Sequence, residues 1–357
     1  MRAAFLTGHG GNEVVTAGDR PDPVPGPGEV LVRVEAATVN RVDLYMRNSG
    51  AGITHSLPQI MGVDGAGTII SVPAGESGLQ PGQRVTLYAG VTCGRCEFCR
   101  RGDRPLCLGA RYLGEHRDGT FAGFVCLPAE NVFPLPDMFS FAEGAALGIT
   151  HLTAWRMITG KARMQPHETA LIFGIGGGVA LAALQLIQAM GGRAIVTSRD
   201  PTKLDLAARF GALAGIDGGR EDVVRRVMDL TGGRGVDVVI ETIGEAVWPQ
   251  ALRALVRGGR LVTCGATSGS HPSADIQRLF IRQLQVFGST LGSLAEFADL
   301  ITFCERHDIR PVIDRVYALD DIHAALDRHD SGANTGKVVI APHNQATAHS
   351  RACCEKV

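Results

Sequence analysis

The stretch from Thr169 to Lys203, TALIFGIGGGVALAALQLIQAMGGRAIVTSRDPTK, constrains the fold more than any other part of the chain. Ala170 to Phe173 read as a strand buried on both faces, Gly174, Gly176, Gly177 and Gly178 as a tight turn, and Val179 to Met190 as an apolar helix. A second strand, Arg193 to Thr197, follows at the distance a βαβ unit requires. Glycines suit such a turn because a side chain would hold the backbone away from a pyrophosphate, which binds free N–H groups and the positive end of the helix dipole. The spacing is not G-x-G-x-x-G, since the last position falls on Val179. It reads as Gly174-x-x-Gly177-x-x-Ala180, half of a dinucleotide-binding unit.

The pattern continues downstream. Short apolar strands near Leu213–Ile216, Val236–Ile240, Arg260–Cys264 and Gln285–Ser289 alternate with helical segments, which is the signature of a doubly wound α/β sheet. Upstream, residues 1 to about 129 carry β-type runs broken by Gly and Pro, among them EVLVRVEAATVN, GAGTIISV and QRVTLYAG, and predict a small barrel-like β domain. After a helix over Leu294–His307, the segment RVYAL, a helix over Asp320–His329 and the strand Lys337–Ile340 return to the character of the first domain. The expected organisation is a split domain, 1–130 and 309–341, into which the nucleotide unit 131–308 is inserted, with 342–357 as a frayed tail whose Cys353 and Cys354 are unstructured thiols.

Composition narrows the function. A net charge of −1 and 5% aromatic residues leave neither a basic field nor stacking platforms, so nucleic acid is not an expected partner. No apolar run reaches membrane-spanning length and the N-terminal apolar stretch is short for a signal peptide, so a cytoplasmic protein acting on a small molecule, with no membrane partner, is expected. Nine cysteines raise the question of disulfides. Four of them, Cys93, Cys96, Cys99 and Cys107, follow C-x2-C-x2-C-x7-C, a spacing that wraps a tetrahedral Zn²⁺ with every position filled and none open for chemistry. One structural zinc per chain is expected, and folding of that lobe should need it.

Taken together, PDPVPGPGEVLVRVEAATVNRVDLYMR, GVDGAGTI, CGRCEFCRRGDRPLC, GTFAGFV, EGAALGITHLTAW, the glycine turn, GGRGVDVVIETIG, LVRGGRLVTCG and TGKVVI resemble the medium-chain dehydrogenase/reductase superfamily over nearly the whole chain. The resemblance implies an α/β fold: a GroES-like β-barrel catalytic domain plus a Rossmann doubly wound parallel-sheet domain. It also implies a nicotinamide cofactor in the cleft between them, and a homodimer or homotetramer, with Gln285–Leu291 pairing across the dimer axis. The four-cysteine lobe is similar to that of zinc alcohol dehydrogenases. The positions that hold catalytic zinc in such relatives carry Asn40, Val63 (followed by Asp64) and Ile149, which cannot replace two thiolates and an imidazole. VNRVDLY is similar to the quinone oxidoreductase and enoyl reductase branches, which lack catalytic zinc.

Loss of that metal removes the usual Lewis acid for ketone or alcohol chemistry, whereas hydride addition to an enone, quinone or enoyl thioester spreads charge over an enolate that hydrogen-bond donors can hold. Tyr45, Asn40 and His151 are the candidate catalytic residues, and Asp43 and Asp64 are read as orienting neighbours. The cofactor is expected on Gly174, Gly176, Gly177, Gly178 and Val179, with Thr150, Thr242, Gly244 and Gly265 at its nicotinamide end. Thr197, Ser198 and Arg199 end the second strand without the acidic residue that NAD-specific enzymes place there, so Ser198, Arg199 and Lys203 predict NADPH, with Asp200 capping the helix that begins at Pro201. A zinc-independent alcohol or carbonyl dehydrogenase and a cofactor-binding protein without turnover stand as the alternatives.

Overall fold

A computed structural model describes residues 1–53, 55–75 and 78–343. Cys353, Cys354 and nearly all of the expected tail lie outside them. Six parallel strands form the nucleotide-binding sheet in the order Ala214–Asp217, Arg193–Ser198, Thr169–Ile172, Val236–Glu241, Leu255–Thr263, Gln285–Gly288. The two halves diverge at the neighbouring strands Thr169–Ile172 and Val236–Glu241, and at such a switch point the strand ends open a crevice. Leu171, Ile172, Val239 and Ile240 are fully buried there, as expected of central strands covered on both faces.

The other domain is built on a sheet of Val132–Pro134, Arg84–Leu87, Gly65–Ser71, Glu29–Thr38, Lys337–Ala341 and Ile313–Ala318, with Phe124–Pro128 also paired to Glu29–Thr38. Alternation along Glu29–Thr38 buries Val30, Val32 and Val34 in its core. Val132–Pro134 pairs antiparallel with Val85–Leu87, and the Phe141–Ala146 helix packs on Glu29–Thr38 and Gly65–Ser71. This domain therefore reaches past the expected boundary at residue 130, because an edge strand follows it.

The last strand decides where the domains meet. Val339 and Ile340 pair with Thr38 and Ala37, and Val39 N–H donates to Val338 O at 2.9 Å. The closing strand thus brings Lys337 beside Val39 and Asn40. Gly336 N–H also donates to Gly176 O at 2.9 Å, tying this strand to the glycine turn of the other domain. No helix among the described residues is long and apolar enough to cross a membrane.

Candidate active site

A cleft of about 1130 Å³ runs between the domains and is lined by residues of both. Its nucleotide side begins at the glycine turn, where Gly174 and Gly176 have φ of 71° and 112°, a region open to glycine at no steric cost. The helix Gly178–Ala189 that follows has no side-chain cap, so its first-turn N–H groups are left for an anion. A Cβ on Gly178 would lie 2.7 Å from Thr150 Cγ2 and 3.1 Å from Lys337 Cδ. The turn therefore leaves room and free N–H groups for a pyrophosphate, and Gly178 also lets the two domains approach.

Gly174, Gly176, Gly177, Gly178, Val179, Thr150, Ser198, Arg199, Lys203, Thr242 and Gly265 all line this one cleft. Gly244 does not. Its N–H donates to Glu241 Oε1 at 2.6 Å, and a Cβ there would lie 2.5 Å from Gly269 O, so it shapes the loop behind the cleft wall. Asp200 caps the helix Pro201–Arg209 through Thr202 N–H at 2.9 Å and Thr202 Oγ1 at 2.7 Å. That leaves Arg199 exposed at the cleft with no ion pair among the described residues. Lys203 also lines the cleft, and its ammonium donates to Gly332 O across it at 2.7 Å.

Of the three candidate catalytic residues, Tyr45 and Asn40 line the cleft and His151 does not. Tyr45, on the helix Arg41–Ser49, is 38% exposed. His151 is buried, with Nδ1 3.3 Å from Ala146 O, and burial pushes its imidazole down to about 4. It ends the π-helical turn Leu147–His151, in which Ile149 and Thr150 line the cleft and His151 does not. The role of an active-site acid or oxygen contact does not suit it in this position.

Asn40 proves to be fully engaged. Its Nδ2 donates to Thr38 O at 3.0 Å and Asp64 Oδ2 at 2.9 Å, and its Oδ1 accepts from Lys337 Nζ at 2.5 Å. Asp64 also accepts from Thr38 N–H at 2.8 Å and Thr38 Oγ1 at 2.7 Å. Asp43 accepts from Asn40 N–H at 2.7 Å and Gly62 N–H at 3.2 Å. Burial pushes Asp43 up to about 8, with the charge of Asp64 adding to it. Burial raises Asp64 as well, with Lys337 the first of the groups that oppose it, so two buried carboxyl groups stand around one amine.

Lys337 was legible in the sequence only as the first residue of the closing strand. Arg41, His329 and Asn334 also line the cleft and were not picked out. The signal for Lys337 was a cation heading a strand otherwise wholly apolar, Val338 to Ala341. Val63 is buried and Ile149 faces the cleft, so none of the three positions read against catalytic zinc offers a metal ligand of the usual soft or imidazole type.

The four cysteines do meet. The Sγ atoms of Cys93, Cys96, Cys99 and Cys107 all lie within 4.8 Å of one another, and the Cys96–Cys99 and Cys93–Cys107 pairs are each 3.5 Å apart. A tetrahedron with Zn–S of about 2.3 Å has edges of ~3.8 Å, so the set fits a closed zinc site. Arg156 ties this lobe to the nucleotide domain, with Asp103 at 2.7 Å and Glu296 at 2.6 Å.

Comparison with known proteins agrees with this architecture. Residues 26–137 match the alcohol dehydrogenase GroES-like domain, and residues 178–306 match the zinc-binding dehydrogenase family. A zinc-type alcohol dehydrogenase-like protein of Schizosaccharomyces pombe is 32% identical over 324 residues, 88% of this chain and 91% of its own. A solved NAD-dependent alcohol dehydrogenase is 36% identical with a TM-score of 0.93, covering 96% of this chain and 100% of its own. A cobalt- and zinc-bound thermostable alcohol dehydrogenase from Pyrobaculum aerophilum is 31% identical with a TM-score of 0.86, over 96% and 99%. The chain belongs to the medium-chain dehydrogenase/reductase superfamily of oxidoreductases.

Proposed function

We propose that this protein is an NADPH-dependent reductase of activated carbon–carbon double bonds, as in enones and enoyl thioesters, or of quinones, working without a catalytic zinc. The observation that carries this reading is the replacement of all three zinc-ligand positions by Asn40, Val63 and Ile149, with the Asn40 amide committed to Thr38, Asp64 and Lys337. A reduced nicotinamide, when bound, supplies the hydride. The chain's own residues would hold it: the glycine turn takes the pyrophosphate, while Ser198 and Arg199, which has no ion pair among the described residues, suit a 2′-phosphate. Tyr45 presents its phenol from the cleft rim as a hydrogen-bond or proton donor to the substrate.

The alternative of a zinc-independent alcohol or carbonyl dehydrogenase is favoured by the names of the relatives, which are alcohol dehydrogenases, one of them NAD-dependent. Oxidation and reduction of both cofactors with a panel of enones, quinones, ketones and alcohols separates the readings. The proposal expects NADPH oxidation with an enone or quinone at the highest kcat/KM, and a fall in kcat of about 10- to 1000-fold in Tyr45→Phe with a smaller change in KM. Turnover confined to alcohols and ketones would favour the alternative, and none with any substrate would favour a cofactor-binding protein.

We also propose a homodimer or homotetramer assembled through the sheet edge. Gln285–Gly288 is the outermost strand of the nucleotide sheet. Beside it Ile276 and Phe280 are 70% and 66% exposed, an apolar edge that association would cover.

A further inference from the structure

The polar cluster under the cleft contains a cation with an uncommitted donor. Lys337 is 3% exposed yet lines the cleft together with Asn40, Tyr45, Ile149 and Thr150. Its stem passes beside the start of the glycine-led helix, where Cδ lies 3.1 Å from the place a Gly178 Cβ would take. Its ammonium donates to Val39 O at 3.0 Å and to Asn40 Oδ1 at 2.5 Å. Asp64 Oδ2 stands at 3.9 Å, close enough for charge but too far for a hydrogen bond. Two of the three N–H groups are therefore used, and the third has no acceptor among the described residues.

We propose that the Lys337 ammonium is the group on which the cleft sets the substrate's carbonyl oxygen, holding the negative charge that hydride addition drives onto it. The cation sits against the side chain of Asn40, which occupies a position where a metal ligand is absent, and it supplies the same kind of electrostatic stabilisation from the protein itself. Asn40 and Asp64 are its positioning residues: the amide aims the ammonium and the carboxylate balances it. Burial holds the amine below its ordinary range, and the neighbouring carboxyl groups, Asp64 first, oppose this.

The electron count closes with a dihydronicotinamide as reductant. The substrate's β-carbon gains a C–H bond with both electrons of the nicotinamide C–H bond that breaks. The C=C pair moves to the adjacent bond, and the carbonyl pair moves onto oxygen, giving an enolate hydrogen-bonded to Lys337. The α-carbon then takes a proton from water or Tyr45, so that one proton is consumed, the nicotinamide is oxidised and the substrate is reduced by two electrons. Lys337 ends as it began.

This inference rests on the proposed reading in taking the ligand to be a carbonyl compound, so its test has an arm that needs no turnover. The full-length protein, Lys337→Met, Lys337→Arg and the double variant Lys337→Met/Asp64→Asn would be compared; the double variant removes both buried charges and so guards against misfolding of the single one. The first readout is the steady-state reduction of 2-cyclohexen-1-one, with NADPH affinity measured separately by nucleotide fluorescence. Loss of kcat by about 100- to 1000-fold with KM and NADPH affinity within threefold, and partial recovery in Lys337→Arg, is expected. The second is the absorbance of 4-nitrophenol added to the NADP⁺ complex. Wild type should hold it as the phenolate at a pH at least one unit below that needed in free solution, and both Met variants should not.

A folded Met variant with kcat within threefold of wild type, a loss confined to NADPH affinity, or no phenolate shift in wild type would each overturn the assignment. Enone reduction that survives in the Met variants would leave the proposed activity standing while removing Lys337. A phenolate shift lost in the Met variants, in a protein that reduces no enone, would retain the oxyanion site and overturn the enone reading.

Discussion

The chain handles two groups of chemistry-bearing residues in opposite ways. In the 93–107 lobe four thiols converge within 4.8 Å on what is otherwise a loop with little apolar content, an arrangement that a bound ion would order where packing is thin. In the cleft, Asn40, Asp43, Asp64 and Lys337 are all nearly or wholly buried where a helix start, a loop and the closing strand meet, and all but one Lys337 N–H are paired within that cluster or with neighbouring backbone. The first region has the ligand set of a closed metal site. The second is ordered by its own hydrogen bonds, and its positive charge comes from a side chain. Retention of a zinc lobe is therefore no guide to how an oxidoreductase cleft of this fold does its chemistry.

If that contrast is right, the two regions should break differently. Cys107→Ser should abolish zinc binding and cost about 4 kcal/mol or more, the range in which loss of a metal falls, read as a lower unfolding midpoint and zinc content near zero by elemental analysis. Full stability in a zinc-free variant would mean the lobe is ordered by the chain alone. Asp64→Ala should destabilise by roughly 3–5 kcal/mol, because it leaves the Lys337 ammonium buried without its counter-charge, yet it should leave zinc content unchanged. Urea unfolding with parallel metal analysis distinguishes these outcomes, and a loss of zinc would show that the cleft carboxylate binds metal.

The contrast also explains what could be read in advance. The central strands of the nucleotide sheet were legible because buried parallel strands are apolar runs, and the cysteine lobe because its ligands lie within fifteen residues of one another. The cleft cluster was only partly legible. Asn40, Asp43 and Asp64 could be named, but their partner Lys337 is 297 positions from Asn40 and arrives through pairing of the closing strand with Glu29–Thr38. Local pattern carries no trace of that pairing. His151 failed for a different reason: placing a segment at the cleft does not settle which side of its helix faces in, and Thr150 takes that side.

A smaller effect sharpens the cleft half of the comparison. Arg199→Ala should weaken NADPH binding by roughly 1.5–3 kcal/mol, the range for a hydrogen bond to a charged group, while NADH binding stays nearly unchanged. Fluorescence titration with both nucleotides measures it. Equal losses for the two would remove the case for a 2′-phosphate site built on Ser198 and Arg199.

Among the described residues one complete set of soft metal ligands is found, in the lobe, and the cleft is proposed to work with its own residues. Zinc per chain, counted in the purified protein at full activity and again in Asp64→Asn, tests this directly. The expected result is about one zinc per chain in both proteins, with all of it lost on replacing a lobe cysteine. Two tightly bound zinc ions per chain, one of them lost in Asp64→Asn together with activity, would contradict it.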